Sequence, residues 1–158
     1  MSPTDTDVGM MRRALELAQA AGAIGEVPIA AVIYHSTTGE IIAQAANRRE
    51  RDRDPAGHAE VEAITRACRT LGDWRLNACS LAVTLEPCVM CAGLIVNARV
   101  GRVVFGASDP KGGAVRTLYQ LLEDPRLNHR AEVVPGVLEE QCGALLSAFF
   151  HRLRAGDA

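Results

Sequence analysis

The 158-residue chain lacks any apolar run long enough to cross a bilayer, and its first residues, Met1 to Asp7, are polar and acidic. Such a start resembles neither a membrane anchor nor a signal peptide, so the expected location is the cytoplasm. Internal repeats and low-complexity linkers are missing too, which leaves a single domain over residues 1–158 as the expected organisation. Nor is there an excess of positive charge: the formal net charge is −2, whereas a nucleic-acid binder is usually basic overall. Any RNA contact must then use local patches. The candidates are Arg48, Arg49, Arg51 and Arg53, then Arg126, His129 and Arg130, then His151, Arg152 and Arg154. Five cysteines, an odd number, argue against a closed disulfide framework and fit a reducing compartment. The chain is long enough to bury a core without such support.

What the chain does contain is His58-Ala59-Glu60 and, further along, Pro87-Cys88-Val89-Met90-Cys91. One imidazole and two thiolates supply three ligands for zinc. Its preferred tetrahedron then keeps one corner open to water, the mark of a catalytic rather than a structural site. Cys88 and Cys91, three positions apart, share a face of one helical turn. A helix N-terminus there favours the thiolate form. Glu60 is not needed as a ligand and is free to serve as acid and base beside the water. Taken singly, C-x-x-C could be a redox pair or half of a structural zinc knuckle, and H-x-E an ordinary helical histidine. One metal explains all of these residues together. A non-catalytic zinc module would need a fourth protein ligand, and none of His35, His129 or His151 has obvious spacing for it. Cys68, Cys79 and Cys142 lie in apolar stretches and read as small core residues.

Hydrophobic periodicity predicts helices over residues 10–21, 58–71, 87–98, about 115–122 and 137–154, and strands over 28–34, 40–46, 79–85, 102–105 and 131–134. Residues 47–57 and 107–113 are expected to be loops. Pro87 is expected in the first turn of its helix, where its missing N–H costs nothing. A hairpin followed by strand–helix–strand units gives an α/β fold. The expectation is a three-layer α/β/α sandwich around a mixed sheet of about five strands, the first pair antiparallel and the later ones parallel.

The paired motifs resemble the known H-x-E and P-C-x-x-C signature of zinc-dependent nucleobase deaminases. The likeness extends through Glu26-Val27-Pro28, Asn47-Arg48, Asp54-Pro55, the block from Thr84 to Ala98, and Gly101 to Gly106. It continues in Asp109 to Gly113, Leu127-Asn128-His129-Arg130 and Phe149-Phe150. Over nearly its whole length the chain resembles bacterial tRNA adenosine deaminases. That resemblance implies a cytidine deaminase-like fold and conversion of the wobble adenosine of a tRNA anticodon loop to inosine. It implies one Zn2+ per subunit on His58, Cys88 and Cys91, with Glu60 as proton shuttle, in a homodimer. It makes Asn47 the residue that holds the base, Pro28, Ile29 and Leu85 the apolar walls, and the N–H groups of Ala59 and Glu86 part of the lining. Asp109, Asn128, His129 and Phe149 become contacts to the splayed loop. A base already unpaired needs little energy to extrude, which reconciles RNA recognition with the mild net charge. The chain departs from the family at Ala45-Ala46, where an aromatic often stands, at Arg116, and at His151 after the paired phenylalanines. The same metal chemistry serves deaminases of a free nucleobase or nucleotide, a guanine or cytosine compound, and that is the alternative reading.

Overall fold

The computed structural model describes residues 1–156. Two strands, β1 (Ala30–His35) and β2 (Ile41–Ala46), form an antiparallel hairpin. β3 (Cys79–Leu85) lies antiparallel to β1, and β4 (Arg102–Ala107) and β5 (Glu132–Val134) extend the sheet in parallel, giving the order β2-β1-β3-β4-β5. β1 is thus antiparallel on both sides, one pair more than expected. The helix that follows β2 carries the chain from the sheet edge over β1 before it re-enters.

Side chains alternate across the strands, as a period of two requires. Ala31, Ile33, Leu81, Val83, Val103 and Phe105 face one layer. There they meet α3 (Ala59–Leu71) and α4 (Val89–Asn97). Val32, Tyr34, Ala82, Val104 and Val134 face the other, against Met11 and Ala14 of α1 (Asp5–Ala23) and Cys142 of α5 (Glu139–Arg154). Both faces are covered, so the strands read as continuous apolar runs. Among the described residues no helix is long and apolar enough to cross a membrane.

α1 begins well before residue 10 because Thr4 and Asp7 form a capping box, each side chain accepting the other's backbone N–H. Asp7 also ties the helix to the sheet. The Tyr34 hydroxyl donates to it at 2.6 Å, and Arg102 pairs with both Asp7 and Glu132. Burial pushes the Asp7 carboxyl up, but Arg102, the Thr4 N–H and the Tyr34 hydroxyl outweigh that and hold it below the usual carboxylate range. α5 packs close on β4 at Gly106, where a Cβ would come within 2.8 Å of both Cys142 Cβ and the Thr84 carbonyl.

Three further expectations need correcting. The expected loop over 47–57 contains a short helix, α2 (Arg49–Asp52). Pro87 precedes the N-cap of α4 instead of occupying its first turn, because Cys88 is the cap. Residues 115–122 are not an α-helix: their first N–H groups bond to the Glu86 carboxylate, and only a 3-10 turn, Leu121–Glu123, follows. The carboxylate satisfies these N–H groups in a turn.

Candidate active site

The C-terminal ends of β3 and β4 open into a cavity of about 700 Å³. His58 is the N-cap of α3 and Cys88 the N-cap of α4, with Cys91 in the first turn of α4. Two helix N-termini therefore meet at one point, and their exposed N–H dipoles favour negative sulfur. His58 Nδ1 lies 3.6 Å from Cys88 Sγ and 3.5 Å from Cys91 Sγ. Metal–nitrogen and metal–sulfur bonds of about 2.05 and 2.3 Å, set at a tetrahedral angle, place N and S about 3.6 Å apart. The spacing fits zinc. The electrostatics fit it as well. Hydrogen bonding from Cys91 and from His58 lowers Cys88 to about 3, while Cys88 and burial push the Cys91 thiol up, a repulsion that a cation between them would relieve. Among the described residues no fourth His, Cys, Asp or Glu joins the cluster.

Glu60, in the first turn of α3, lines the same cavity and is only 4% exposed. Burial pushes its carboxyl up from the ordinary value, against a hydrogen bond from Cys91 that pulls it down. Burial thus favours the protonated form more than in an exposed carboxylate.

Asn47, just past the end of β2, is buried in the cavity wall, and its Nδ2 donates to Glu26 Oε1 at 2.9 Å. This commits one amide proton and leaves the carbonyl oxygen as an acceptor. Glu26 in turn accepts the N–H groups of Val27, Glu50 and Arg51, so one carboxylate fastens both Asn47 and the first turn of α2. Burial pushes Glu26 up, but those donors hold it below the usual range. Val27, Ile29 and Leu85 supply apolar wall. Ser108, Asp109, Pro110 and Lys111 close one side of the mouth, and Phe150 and Arg154 of α5 another. Lys111 is the sole lysine of the chain. Together with Arg49 and Arg154 it places three cations at the rim.

The residues expected at the site are not all brought together. Pro28 and Ala59 are buried behind the cavity rather than lining it, although Ala59 as the first residue of α3 has an N–H with no intrahelical acceptor. The Glu86 N–H donates to the Ala107 carbonyl in the sheet, so the expected role of that group in the lining is corrected; its carboxylate is the informative part. Asp109 lines the wall while its Oδ1 accepts the N–H groups of Lys111 and Gly112 in its own loop. Phe149 is 2% exposed, and it is Phe150 that faces the cavity. Consecutive helical residues point about 100° apart, which turns Phe149 into the packed interior while Phe150 lines the cavity. His129 donates from Nε2 to the Val100 carbonyl at 2.7 Å, before the start of β4. That is about 20 Å, a strand's length, from the cavity end, and Asn128 goes with it. Sequence reasoning missed Glu26, Ser108, Lys111 and Phe150. An acid directly before an apolar strand, as in Glu26-Val27-Pro28, was the one signal available.

Residues 6–154 match the model of the MafB19-like deaminase family. A tRNA-specific adenosine deaminase of Bacillus subtilis (strain 168) is 56% identical over 144 residues, 91% of this chain and 88% of that protein. A solved structure from studies of A-to-I editing by tRNA:A34 deaminases at the wobble position of transfer RNA superimposes with a TM-score of 0.82 at 41% identity, over 87% of this chain and 99% of that one. A guanine deaminase from Nitrosomonas europaea, 26% identical, gives 0.80 over 94% of this chain and 85% of that one. The fold, the cluster and these relatives agree: the chain belongs to the deaminase family that includes the tRNA-specific adenosine deaminases.

Proposed function

We propose that this protein hydrolyses the wobble adenosine of a tRNA anticodon loop to inosine, as a single zinc-dependent domain over residues 1–158 acting in the cytoplasm as a homodimer. One observation carries the reading: three ligands at tetrahedral spacing with Glu60 beside them on the wall of an open cavity. His58, Cys88 and Cys91 would hold one zinc per subunit. Zinc so held supplies Lewis acidity, bringing the loss of a proton from water close to neutrality, about pH 7 instead of about 15.7.

Glu60 accepts the proton of the attacking water and delivers it to the ring nitrogen beside the amino-bearing carbon. Protonation makes that carbon electrophilic; the water oxygen bonds to it and the C–N bond breaks. Glu60 passes the second proton to the departing nitrogen, so adenosine and water become inosine and ammonia. Val27, Ile29 and Leu85 exclude water from the faces of the base, and the Asn47 carbonyl oxygen accepts a hydrogen bond from its edge. Arg49, Lys111 and Arg154 meet the phosphates on either side. A base already splayed from a loop reaches the cavity at small unstacking cost.

The guanine deaminase likeness favours a second reading, a deaminase of a free purine base. Incubation with an anticodon stem-loop carrying adenosine at the wobble position, and separately with adenosine, cytidine and guanine, separates the two. Inosine in the stem-loop and slow or no turnover of the small compounds is expected. Efficient guanine turnover with an untouched stem-loop would replace the proposal by its rival.

A further inference from the structure

Glu86 stands two residues before a metal ligand, yet its carboxylate is engaged with the loop that follows β4. It is 2% exposed. Oε1 accepts the N–H groups of Val115, Arg116 and Thr117 at 3.2, 2.6 and 2.9 Å. Oε2 accepts the Asp109 N–H at 3.0 Å and the Thr117 hydroxyl. Three successive N–H groups form a concave nest, and a buried anion there is worth more than a neutral acceptor. Gly113 shows how closely the loop closes: a Cβ on it would overlap Glu86 Oε2 and lie 2.7 Å from the Asp109 carbonyl. Neighbouring backbone bonds, Ala114 N–H to Pro87 O and Gly113 N–H to Asp109 O, keep the loop in register. The first residues of this loop, Ser108 to Lys111, are the cavity wall.

We propose that Glu86 is a positioning residue: by gathering the N–H groups of residues 109–117 it sets the wall against which nucleotides flanking the reacting base are held, and so governs RNA binding rather than the chemical step. The inference rests on the RNA-substrate reading above. It makes the residue before Pro87 a mechanical link between the metal-binding arm and the strand-binding wall.

Glu86→Gln keeps the volume but turns one oxygen into a donor that faces N–H donors. KM for the stem-loop is expected to rise about tenfold, the loss of one charge-assisted bond. The value of kcat should stay within about threefold, as for an interaction made equally in ground and transition states. Zinc content should be unchanged, and hydrogen exchange at the Arg116 and Thr117 amides should accelerate. Gly113→Ala retains the charge of Glu86 but displaces it from the loop side. It should reproduce the KM effect, with the double variant showing less than the sum of the two. If either variant folds too poorly to assay, Thr117→Val removes the hydroxyl bond alone and should act in the same direction with smaller size. A lowered kcat in Glu86→Gln with normal KM in Gly113→Ala would mean that the charge, not the loop, matters, and would overturn the proposal. Unchanged amide exchange in Glu86→Gln would overturn it as well. Exchange and zinc content need no substrate, so they decide the loop's anchoring even if wild-type protein leaves the stem-loop untouched, a result that would count against the RNA reading alone.

Discussion

Two buried carboxylates, Glu60 and Glu86, line the cavity and a third, Glu26, holds its wall residue Asn47; their surroundings divide them. Burial would raise all three. On Glu26 the N–H groups of Arg51 and Val27 prevail, and on Glu86 the Thr117 hydroxyl and Asp109 N–H do, so both stay ionised below the usual range. Glu60 has no such set of donors, and burial carries it upward. Groups pushed in opposite directions suit different tasks: the first two hold structure, and the third fits the proton transfer proposed for it. Glu60→Gln should therefore retain fold and zinc and lose about 10²–10⁴-fold in stem-loop turnover. His58→Ala should instead lose the metal, measured by elemental analysis. The clustering of His58, Cys88 and Cys91 was legible in sequence because coordination chemistry restricts both residue type and spacing. The roles of Glu26 and Glu86 were not, since their partners are backbone N–H groups, which every residue but proline carries. Phe149 and Phe150 were indistinguishable as letters; only the helical phase of α5 separates them.

At the scale of elements, the strands and long helices were legible because apolar periodicity reports burial directly. The segment after Gly113 was not. Its composition allows a helix, but the chain forms a turn whose successive N–H groups meet the Glu86 carboxylate, a partner distant in sequence. The early start of α1 was missed because its capping box lies in residues that look like a polar tail. Where α5 crosses β4, Gly106 leaves no room for a side chain. Gly106→Ala would push a methyl group against Cys142 and the Thr84 carbonyl. A loss of about 1–3 kcal/mol in urea-denaturation stability is expected, partly recovered by adding Cys142→Ala.

For the whole molecule, Asp7 joins the N-terminal helix to β1 through Tyr34 and to β4 through Arg102. Its folded pKa lies below an unfolded value of about 3.9, so its stabilisation is present at neutral pH and lost as pH falls below about 4 through the folded value. Asp7→Asn should be less stable than wild type at pH 7, with the gap narrowing as pH falls below about 4, measured by urea unfolding across that range. The overall charge is equally instructive. A formal balance of −2 hides a rim where Arg49, Lys111 and Arg154 converge from three separate segments. Summed composition carries no information about such convergence.

The solitary lysine gives the molecule a built-in address. A reagent selective for primary amines finds, apart from the amino terminus, one place to react, and Lys111 puts that place on the cavity's lip. A bound stem-loop would shield it, so occupancy could be followed as the gain or loss of a single mass increment without engineering any handle into the chain.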